Sequence, residues 1–316
     1  MINTAPFIKL NKKFEKIMAF ITPTAVLIAL IFGKYFVPLK PLVNILFGLM
    51  TFFGAMKISA EDMKAAFKKP LFIVAYVIAS FLIMPLFAQL ISKTLFSNSI
   101  IVGSGYNLVR AVPTAVVGSV WATMFNGNLA VSLAILLIDT LLAPAITPFM
   151  LKIYTGTAVQ LDTFGMMKSL CFMVVIPFIL GIIFNHFFKK QIKETIGPIT
   201  NPISKILFFV EIIINVSQVS QRIVSEASWD YALVIVAALI LSILGFITGH
   251  VVSRVMRLQK KEDISITFAV ALRNTNAALV LAIGFLPELA ALPIIFSIVI
   301  QQTLAAIMGK AIFKEN

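Results

Sequence analysis

Runs of about 20 apolar residues recur along this chain from one end to the other, and they constrain its fold more than any other feature. A helix rises about 1.5 Å per residue, so a run of this length crosses the roughly 30 Å hydrocarbon layer of a bilayer. Only 12% of the 316 residues are charged and 60% are hydrophobic. Soluble domains carry about 25% charged residues. The sequence therefore predicts an all-α polytopic membrane protein that has the lipid bilayer as a partner.

Ten runs are long enough to span a bilayer, and no soluble domain fits between them. The predicted spans are 17–33, 41–57, 71–92, 99–125, 128–151, 166–187, 202–223, 231–253, 264–285 and 290–312.

The basic residues are distributed unevenly between the two sides of the predicted bundle. With ten spans, the termini and alternate loops on one side carry eighteen of the 26 Lys and Arg residues, against six on the other. By the positive-inside rule, both the N- and the C-terminus are expected in the cytoplasm. We therefore expect a multi-pass protein of the cell (plasma) membrane. The net charge of +13 is explained by topology, so no nucleic-acid partner is predicted.

A weak internal repeat relates the two halves of the chain. KIMAFITPTAVLIALIFGKYF at 16–36 aligns with KSLCFMVVIPFILGIIFNHFF at 168–188, and the triplet ILF occurs at 45–47 and again at 206–208. Residues 1–160 and 161–316 are therefore interpreted as two repeats of five helices each. An odd number of spans inverts the second repeat relative to the first, which is typical of secondary transporters.

The same repeat predicts where two helices break. The triplets lie 161 residues apart, and adding this offset to Pro113 in the fourth span leads to Asn274 in the ninth. Arg110 and Arg273 lie close to these points, about 16 Å along their spans. Spans four and nine are therefore predicted to be broken crossing helices.

Four ionisable residues lie near the middle of predicted spans: Arg110, Asp139, Glu211 and Arg273. Each would cost about 2.5 to 3.5 kcal/mol if it faced lipid, so all four should face protein or a water-filled cavity. Two of these residues are basic and two are acidic, so their formal charges sum to zero. This balance is compatible with structural ion pairs or with a coupling role for Asp139 and Glu211. Arg273 is followed by Asn274 and Thr275, and this run of polar groups exceeds what one ion pair needs.

Other polar residues in the spans admit two interpretations. Gln301 either lines a cavity or forms hydrogen bonds between helices. Ser80, Ser119 and Ser132 are more typical of helix packing than of ligand binding. The sequence contains no HExxH, Walker A or GxSxG motif, its two histidines are distant from each other, and its one cysteine lies inside a predicted span. We therefore expect no enzyme activity, no cofactor and no catalytic or metal site.

Several segments resemble the bile acid:sodium symporter family. These are GNLAVSLAILLIDTLLAPAITPFML at 127–151, FGAMKISAEDMKAAFKKP at 53–70, ASFLIMP at 79–85 and RNTNAALVLA at 273–282. The resemblance covers nearly the whole chain. It implies a panel domain of helices 1, 2, 6 and 7, a core domain of helices 3–5 and 8–10, and a substrate, usually an organic anion carried with sodium, between crossing helices 4 and 9.

This chain departs from the family at the positions that bind sodium. The acidic residue that relatives carry in the ninth helix is replaced by Ala269, and the glutamine near it by Arg273. The other positions implied by the resemblance are Ser80, Gly118, Ser119, Ser132 and Leu136, of which Ser132 keeps its hydroxyl. Sodium coupling is therefore doubtful. We hypothesise that Arg273 is a tethered cation that replaces sodium and is neutralised by Asp139 or by an anionic substrate.

The sequence thus predicts a secondary active transporter of a small organic anion that works by elevator-like or rocking alternating access. The residues expected to contact substrate are Arg273, Asn274, Thr275, Arg110, Thr114 and Gln301. One alternative is a sodium-coupled symporter of bile-acid type with displaced ligands. An alternative of another class is a membrane sensor or a passive channel. The sequence does not indicate the substrate, the direction of transport or the oligomeric state.

Overall fold

The computed structural model describes residues 4–58, 70–156, 161–225 and 230–313, and the regular secondary structure within these ranges is helical. The first seven α-helices are α1 Ala5–Phe36, α2 Val43–Ala55, α3 Leu71–Val77, α4 Met84–Leu95, α5 Ile100–Ala111, α6 Val116–Met124 and α7 Leu129–Thr155. The other seven are α8 Thr163–Leu170, α9 Ile176–Gln191, α10 Gly197–Ser225, α11 Asp230–Val255, α12 Lys260–Ala271, α13 Thr275–Phe285 and α14 Ala291–Phe313. Most of the family-like segment at 53–70 lies outside the described residues.

Short segments of other helix types join several of these helices. A 3₁₀ helix at Val37–Leu42 joins α1 to α2, and π-helical segments at Ile78–Ile83 and Cys171–Val175 precede α4 and α9. Both α4 and α9 have a proline in their first turn, at Pro85 and Pro177. A proline has no N–H, so the carbonyl four residues before it loses its α-helical partner and the backbone can widen into a π turn.

Six helical stretches in the described part of the chain are long and apolar enough to cross a membrane. They are Phe20–Ala55, Leu71–Leu95, Leu129–Thr155, Thr163–Gln221, Tyr231–Val255 and Glu288–Phe313. The first and fourth of these stretches each run through two predicted spans. The chain is therefore a multi-pass membrane protein, while the number of ten spans, the inverted repeats and the orientation of the termini stay predictions.

The chain forms two compact units, and each takes segments from both halves of the sequence. The first unit comprises Met1–Glu61 and Ser169–Ala227, and the second comprises Asp62–Lys168 and Ser228–Asn316. In the first unit, α1 packs along α10, and α2 packs against α9 and α10. The division into a panel and a core domain stays a prediction.

In the second unit, two glycines on α11 allow a close approach to α12. A Cβ at Gly249 would lie 2.7 Å from the Cα of Thr267, and a Cβ at Gly245 would lie 3.0 Å from the Cα of Ala271. These glycines are four residues apart, so both lie on one face of α11. Small residues at this spacing allow membrane helices to pack backbone against backbone. The close contact fixes the end of α12, where the candidate site begins.

Candidate functional site

Two helix breaks meet in the second unit. The break between α5 and α6 covers residues 112–115, and the break between α12 and α13 covers residues 272–274. The two stretches run antiparallel and form an isolated β-bridge between Thr114 and Arg273. Two backbone hydrogen bonds extend it, from Ala115 N–H to the Leu272 carbonyl at 2.9 Å and from Asn274 N–H to the Pro113 carbonyl at 2.8 Å. Both breaks therefore fall where Pro113 and Asn274 predict them.

Side chains satisfy the carbonyl groups that the breaks leave without helical partners. The Thr114 hydroxyl lies 2.9 Å from the Ala269 carbonyl oxygen and 3.2 Å from that of Leu272. At the other break, the Thr147 hydroxyl donates to the Ala111 carbonyl at 2.8 Å. An unsatisfied backbone group inside a membrane costs several kcal/mol, so these hydroxyls stabilise the broken conformation. The hydroxyl predicted to contact substrate, that of Thr114, is buried and serves the backbone.

Arg110 also binds the backbone at the end of α12. Its Nη1 lies 3.4 Å from the Val270 carbonyl oxygen and 3.5 Å from that of Ala271, and its Nη2 donates to the Leu241 carbonyl on α11 at 3.0 Å. The side chain is only 1% exposed. A cation at a helix C-terminus complements the negative end of the helix dipole. Arg110 is thus a helix cap in this structure, and its contact with substrate stays a prediction.

Arg273 lies at the bridge and forms an ion pair with Asp139 of α7. Its Nη1 is 3.5 Å from Asp139 Oδ2 and donates to the Tyr76 hydroxyl at 2.6 Å. The Tyr76 hydroxyl in turn donates to Asp139 Oδ2, which also accepts a hydrogen bond from the Thr114 N–H at 2.6 Å. Arg273 and Asp139 are each 2% exposed. The structure therefore brings together the cation and the carboxylate that the sequence pairs, with a tyrosine between them.

The opposite edge of the Arg273 guanidinium has a different environment. Its Nε and Nη2 make no hydrogen bond within the described residues. The ring of Phe81 lies over the guanidinium, with its centroid 5.6 Å from Cζ. Phe81 and the buried Ser80 both belong to the π-helical segment after α3, a type of distortion that is frequent at functional sites. One edge of the guanidinium is thus paired internally, and the other is buried without a hydrogen-bond partner among the described residues.

The other residues predicted to contact substrate have varied surroundings. Asn274 is half-buried and its side-chain oxygen accepts a hydrogen bond from the Ala277 N–H, so it caps α13. Thr275 is half-buried at the first position of that helix. Gln301 of α14 is buried, and its Nε2 has no hydrogen-bond partner among the described residues. Their contact with substrate stays a prediction.

Glu211 belongs to the first unit, in α10, and is fully buried. It accepts a hydrogen bond from Asn215 Nδ2 at 3.3 Å, one turn along the same helix. The four mid-span charges of the chain sum to zero, but the charges within each compact unit do not. The second unit contains Arg110, Arg273 and Asp139.

The positions that the family resemblance implies for sodium offer few free oxygen atoms in this structure. Leu136 and Ala269 are buried and have no side-chain oxygen, and a Cβ at Gly118 would lie 3.3 Å from the Phe268 carbonyl oxygen. The hydroxyls of Ser119 and Ser132 donate to carbonyls of their own helices, at 2.7 Å and 3.3 Å. The carbonyl oxygens at the end of α12 already accept hydrogen bonds from Arg110 and Thr114. The Asp139 carboxylate already contacts three donors, from Tyr76, Thr114 and Arg273. The buried Ser80 hydroxyl has no hydrogen-bond partner among the described residues, so these positions offer one free side-chain oxygen. The loss of sodium binding stays a prediction.

A second charged cluster lies at the start of α12. The Asp263 carboxylate contacts His250 Nδ1, with 3.0 Å between Nδ1 and Oδ2, and accepts a hydrogen bond from the Thr267 hydroxyl at 3.1 Å. Burial raises the pKa of Asp263 above its usual value, and the nearby His250 opposes that shift. The cluster joins α11 to the first turn of α12. Within the described part of the chain, no group of three acidic, histidine or cysteine residues could hold a metal ion.

Tyr76 belongs to the site although the sequence pattern does not single it out. It is the polar exception in LFIVAYV, and a buried tyrosine hydroxyl generally requires a hydrogen-bond partner. That signal indicates a partner without indicating which one, because Asp139 and Arg273 are 63 and 197 residues away in sequence. The sequence likewise does not single out Thr147, because the Ala111 carbonyl that its hydroxyl contacts is 36 residues away.

The sequence profile of the sodium bile acid symporter family matches residues 42–226. The chain belongs to this family. Among its relatives is an uncharacterized Bacillus subtilis protein, YbaS, which is 30% identical over 292 residues, or 92% of this chain and 95% of YbaS.

Two further relatives carry names that describe transport. The uncharacterized sodium-dependent transporter YocS of Bacillus subtilis is 26% identical over 84% of this chain and 82% of its own length. A probable chloroplastic sodium/metabolite cotransporter of rice, BASS3, is 26% identical over 84% of this chain and 63% of its own length. This member of the sodium bile acid symporter family is therefore a secondary transporter with a small-molecule substrate, and not an enzyme.

Proposed function

We propose that this family member transports a small organic anion by alternating access and does so without the family's sodium sites. The observation that carries the proposal is the buried Arg273, paired with Asp139 where the two broken helices cross. The arginine supplies a fixed positive charge at the place where relatives are expected to bind a mobile cation.

Electrostatics supports the exclusion of sodium from this crossing. Replacement of an acidic residue by Ala269, and of a neutral one by Arg273, changes the local charge by two units relative to the family pattern. Two like charges 4 Å apart repel each other by about 4 kcal/mol at an effective dielectric constant of 20. Sodium bound beside this guanidinium would have to overcome that repulsion with no carboxylate at position 269 and with the Asp139 carboxylate already paired to Arg273.

The arrangement of the chain supports alternating access. One compact unit holds α1, α2, α9 and α10, and the other holds the two broken helices together with the Arg273 and Asp139 pair. This grouping is what a panel domain and a core domain with an intramembrane site require. We further propose a location in the cell membrane with both termini in the cytoplasm, since the basic residues favour that side.

Counterflow in proteoliposomes tests the proposed function. Vesicles loaded with one of a panel of small carboxylates and sulfonates should exchange it for labelled external solute in choline buffer as fast as in sodium buffer. Arg273→Lys provides the matched comparison, because it keeps the charge and loses the planar fork. Exchange that requires sodium would contradict the proposal, and a flux without saturation or counterflow would indicate a passive channel.

Asp139 is the candidate for coupling to protons. A buried carboxylate next to a charge that changes partners during transport can gain and lose a proton. We expect Asp139→Asn to abolish any dependence of uptake on a pH gradient while leaving exchange intact. An unchanged response to the gradient would remove Asp139 from this role.

A second candidate is a sodium-coupled symporter with displaced ligands. It is favoured by the names of YocS and BASS3, which describe sodium-dependent transport by those relatives. The two candidates differ in one measurable property. Only the second requires sodium on the side from which the substrate is taken up.

A further inference from the structure

The mid-span charges of the second unit leave an excess of positive charge. Arg110 and Arg273 carry two positive charges, and Asp139 carries one negative charge. Nη1 and Nη2 of Arg110 point to backbone carbonyls, which complement a cation without neutralising it. Its Nε is a single donor without a hydrogen-bond partner among the described residues, whereas Arg273 has two such donors side by side. An uncompensated charge inside a membrane protein is unfavourable, and it attracts an ion of the opposite sign.

The free donors of Arg273 define where such an ion would bind. Nη1 contacts Tyr76 and Asp139, while Nε and Nη2 lie on the opposite edge and have no hydrogen-bond partner in the described part of the chain. Nε and Nη2 form the fork of parallel donors that matches a carboxylate. A side chain that is 98% buried would not normally leave both donors of that fork unused.

The surroundings of the guanidinium restrict the direction of approach. The ring of Phe81 covers one face of it, and Tyr76 with Asp139 occupies one edge. A ligand that uses the remaining donors must therefore lie close to the guanidinium plane, beside Nε and Nη2. This geometry suits a small planar or spherical anion of single charge, since Asp139 already balances one of the two arginines.

We propose that the Nε and Nη2 edge of Arg273 is a binding site for one monovalent anionic group. The group is either the carboxylate of the transported anion or a small inorganic ion such as chloride. The proposal rests on the proposed function in that Arg273 is the charge that replaces sodium. It adds that the arginine has two separate partners, a permanent one in Asp139 and an exchangeable one on its opposite edge.

Thermal unfolding of the purified full chain in detergent tests this site without any transport measurement. N-methylglucamine salts of chloride, formate and acetate are titrated at constant ionic strength against gluconate, a carboxylate much larger than formate or acetate. We expect at least one of the small anions to raise the unfolding midpoint by several degrees in a saturable way. A response to chloride would identify a resident inorganic ion, and a response confined to formate and acetate would identify the substrate's carboxylate.

Matched variants separate this site from general salt effects. Arg273→Lys keeps the charge but removes the fork, and it should lose the anion response, whereas the exposed Arg254→Lys should keep it. A wild-type midpoint that is indifferent to the anion would overturn the proposal. An equal response in Arg273→Lys would also overturn it.

Asp139→Asn provides a second test that does not depend on the folding of the lysine variant. Removing the internal carboxylate leaves Arg273 without its competing partner, so the anion should bind at least about tenfold more tightly. An affinity equal to or weaker than that of the wild type would contradict the site. Because no sodium is present, the result is independent of whether transport uses sodium.

Discussion

Tyr76 links Arg273 to Asp139 by accepting a hydrogen bond from one and donating to the other. The direct distance between Arg273 Nη1 and Asp139 Oδ2 is 3.5 Å, longer than a close charge-assisted hydrogen bond. The tyrosine therefore carries much of the contact between the two charges. It also fixes the guanidinium so that the opposite edge faces away from Asp139.

We expect Tyr76→Phe to lower the free energy of unfolding by about 1.5 to 3 kcal/mol, because the lost hydrogen bonds join charged groups. Tyr106→Phe is the matched control, since the Tyr106 hydroxyl donates to the neutral carbonyl of Val234 at 2.7 Å and its loss should cost about 1 kcal/mol. Chemical unfolding in detergent measures both. Equal losses in the two variants would contradict the bridging role of Tyr76.

The pair of Arg273 and Asp139 should behave as a coupled unit. Asp139→Asn and Arg273→Gln each leave one buried charge without its partner, and each should cost about 3 to 5 kcal/mol of folding stability. The double variant removes both charges, so it should lose much less than the sum of the single losses. Additivity within about 0.5 kcal/mol in this cycle would show that the two residues do not depend on each other.

The helix breaks depend on packing as well as on local sequence. Pro113 cannot donate a helical hydrogen bond, and Asn274 caps the helix that follows it. The broken ends are stable because Thr114 and Arg110 satisfy the carbonyls of α12, and because α11 lies close enough to support them. The crossing therefore depends on α11 as well as on the four helices that flank the two breaks, α5, α6, α12 and α13.

Gly249 tests this dependence on close packing. A Cβ there would lie 2.7 Å from the Cα of Thr267, so Gly249→Ala must displace α12 and should cost about 1 to 3 kcal/mol. Gly284→Ala is the matched control because nothing lies within 4 Å of a Cβ at that exposed helical position. The control should be neutral or slightly stabilising, since alanine favours a helix by about 0.5 to 1 kcal/mol over glycine. If both variants have the same unfolding midpoint, the contact does not support the crossing.

Local sequence predicts these elements to different degrees. The breaks follow from Pro113 and the polar run at Arg273, because proline and capping residues act on their own backbone. Hydropathy does not predict that a 3₁₀ helix at Val37–Leu42 joins α1 to α2, because hydropathy alone does not distinguish a loop from a 3₁₀ turn. The partners of Asp139 come from three distant segments, so only the three-dimensional packing reveals them.

At the scale of the whole molecule, the distribution of buried charge differs between the two compact units. The four mid-span charges sum to zero over the chain, yet two of the three in the second unit are positive. An intramembrane site with that excess favours anions and disfavours sodium. We therefore propose that the fixed charge of Arg273 takes the place that the family resemblance implies for a sodium ion.

The most direct measurement is thermal unfolding of the purified protein in sodium chloride and in choline chloride at equal ionic strength, for the wild type and for Ala269→Glu combined with Arg273→Gln. A ligand at a hundredfold its dissociation constant adds about 2.7 kcal/mol of stability, which shifts the midpoint measurably. We predict that sodium leaves the wild type unchanged and stabilises the double variant. Specific stabilisation of the wild type by sodium would contradict the account.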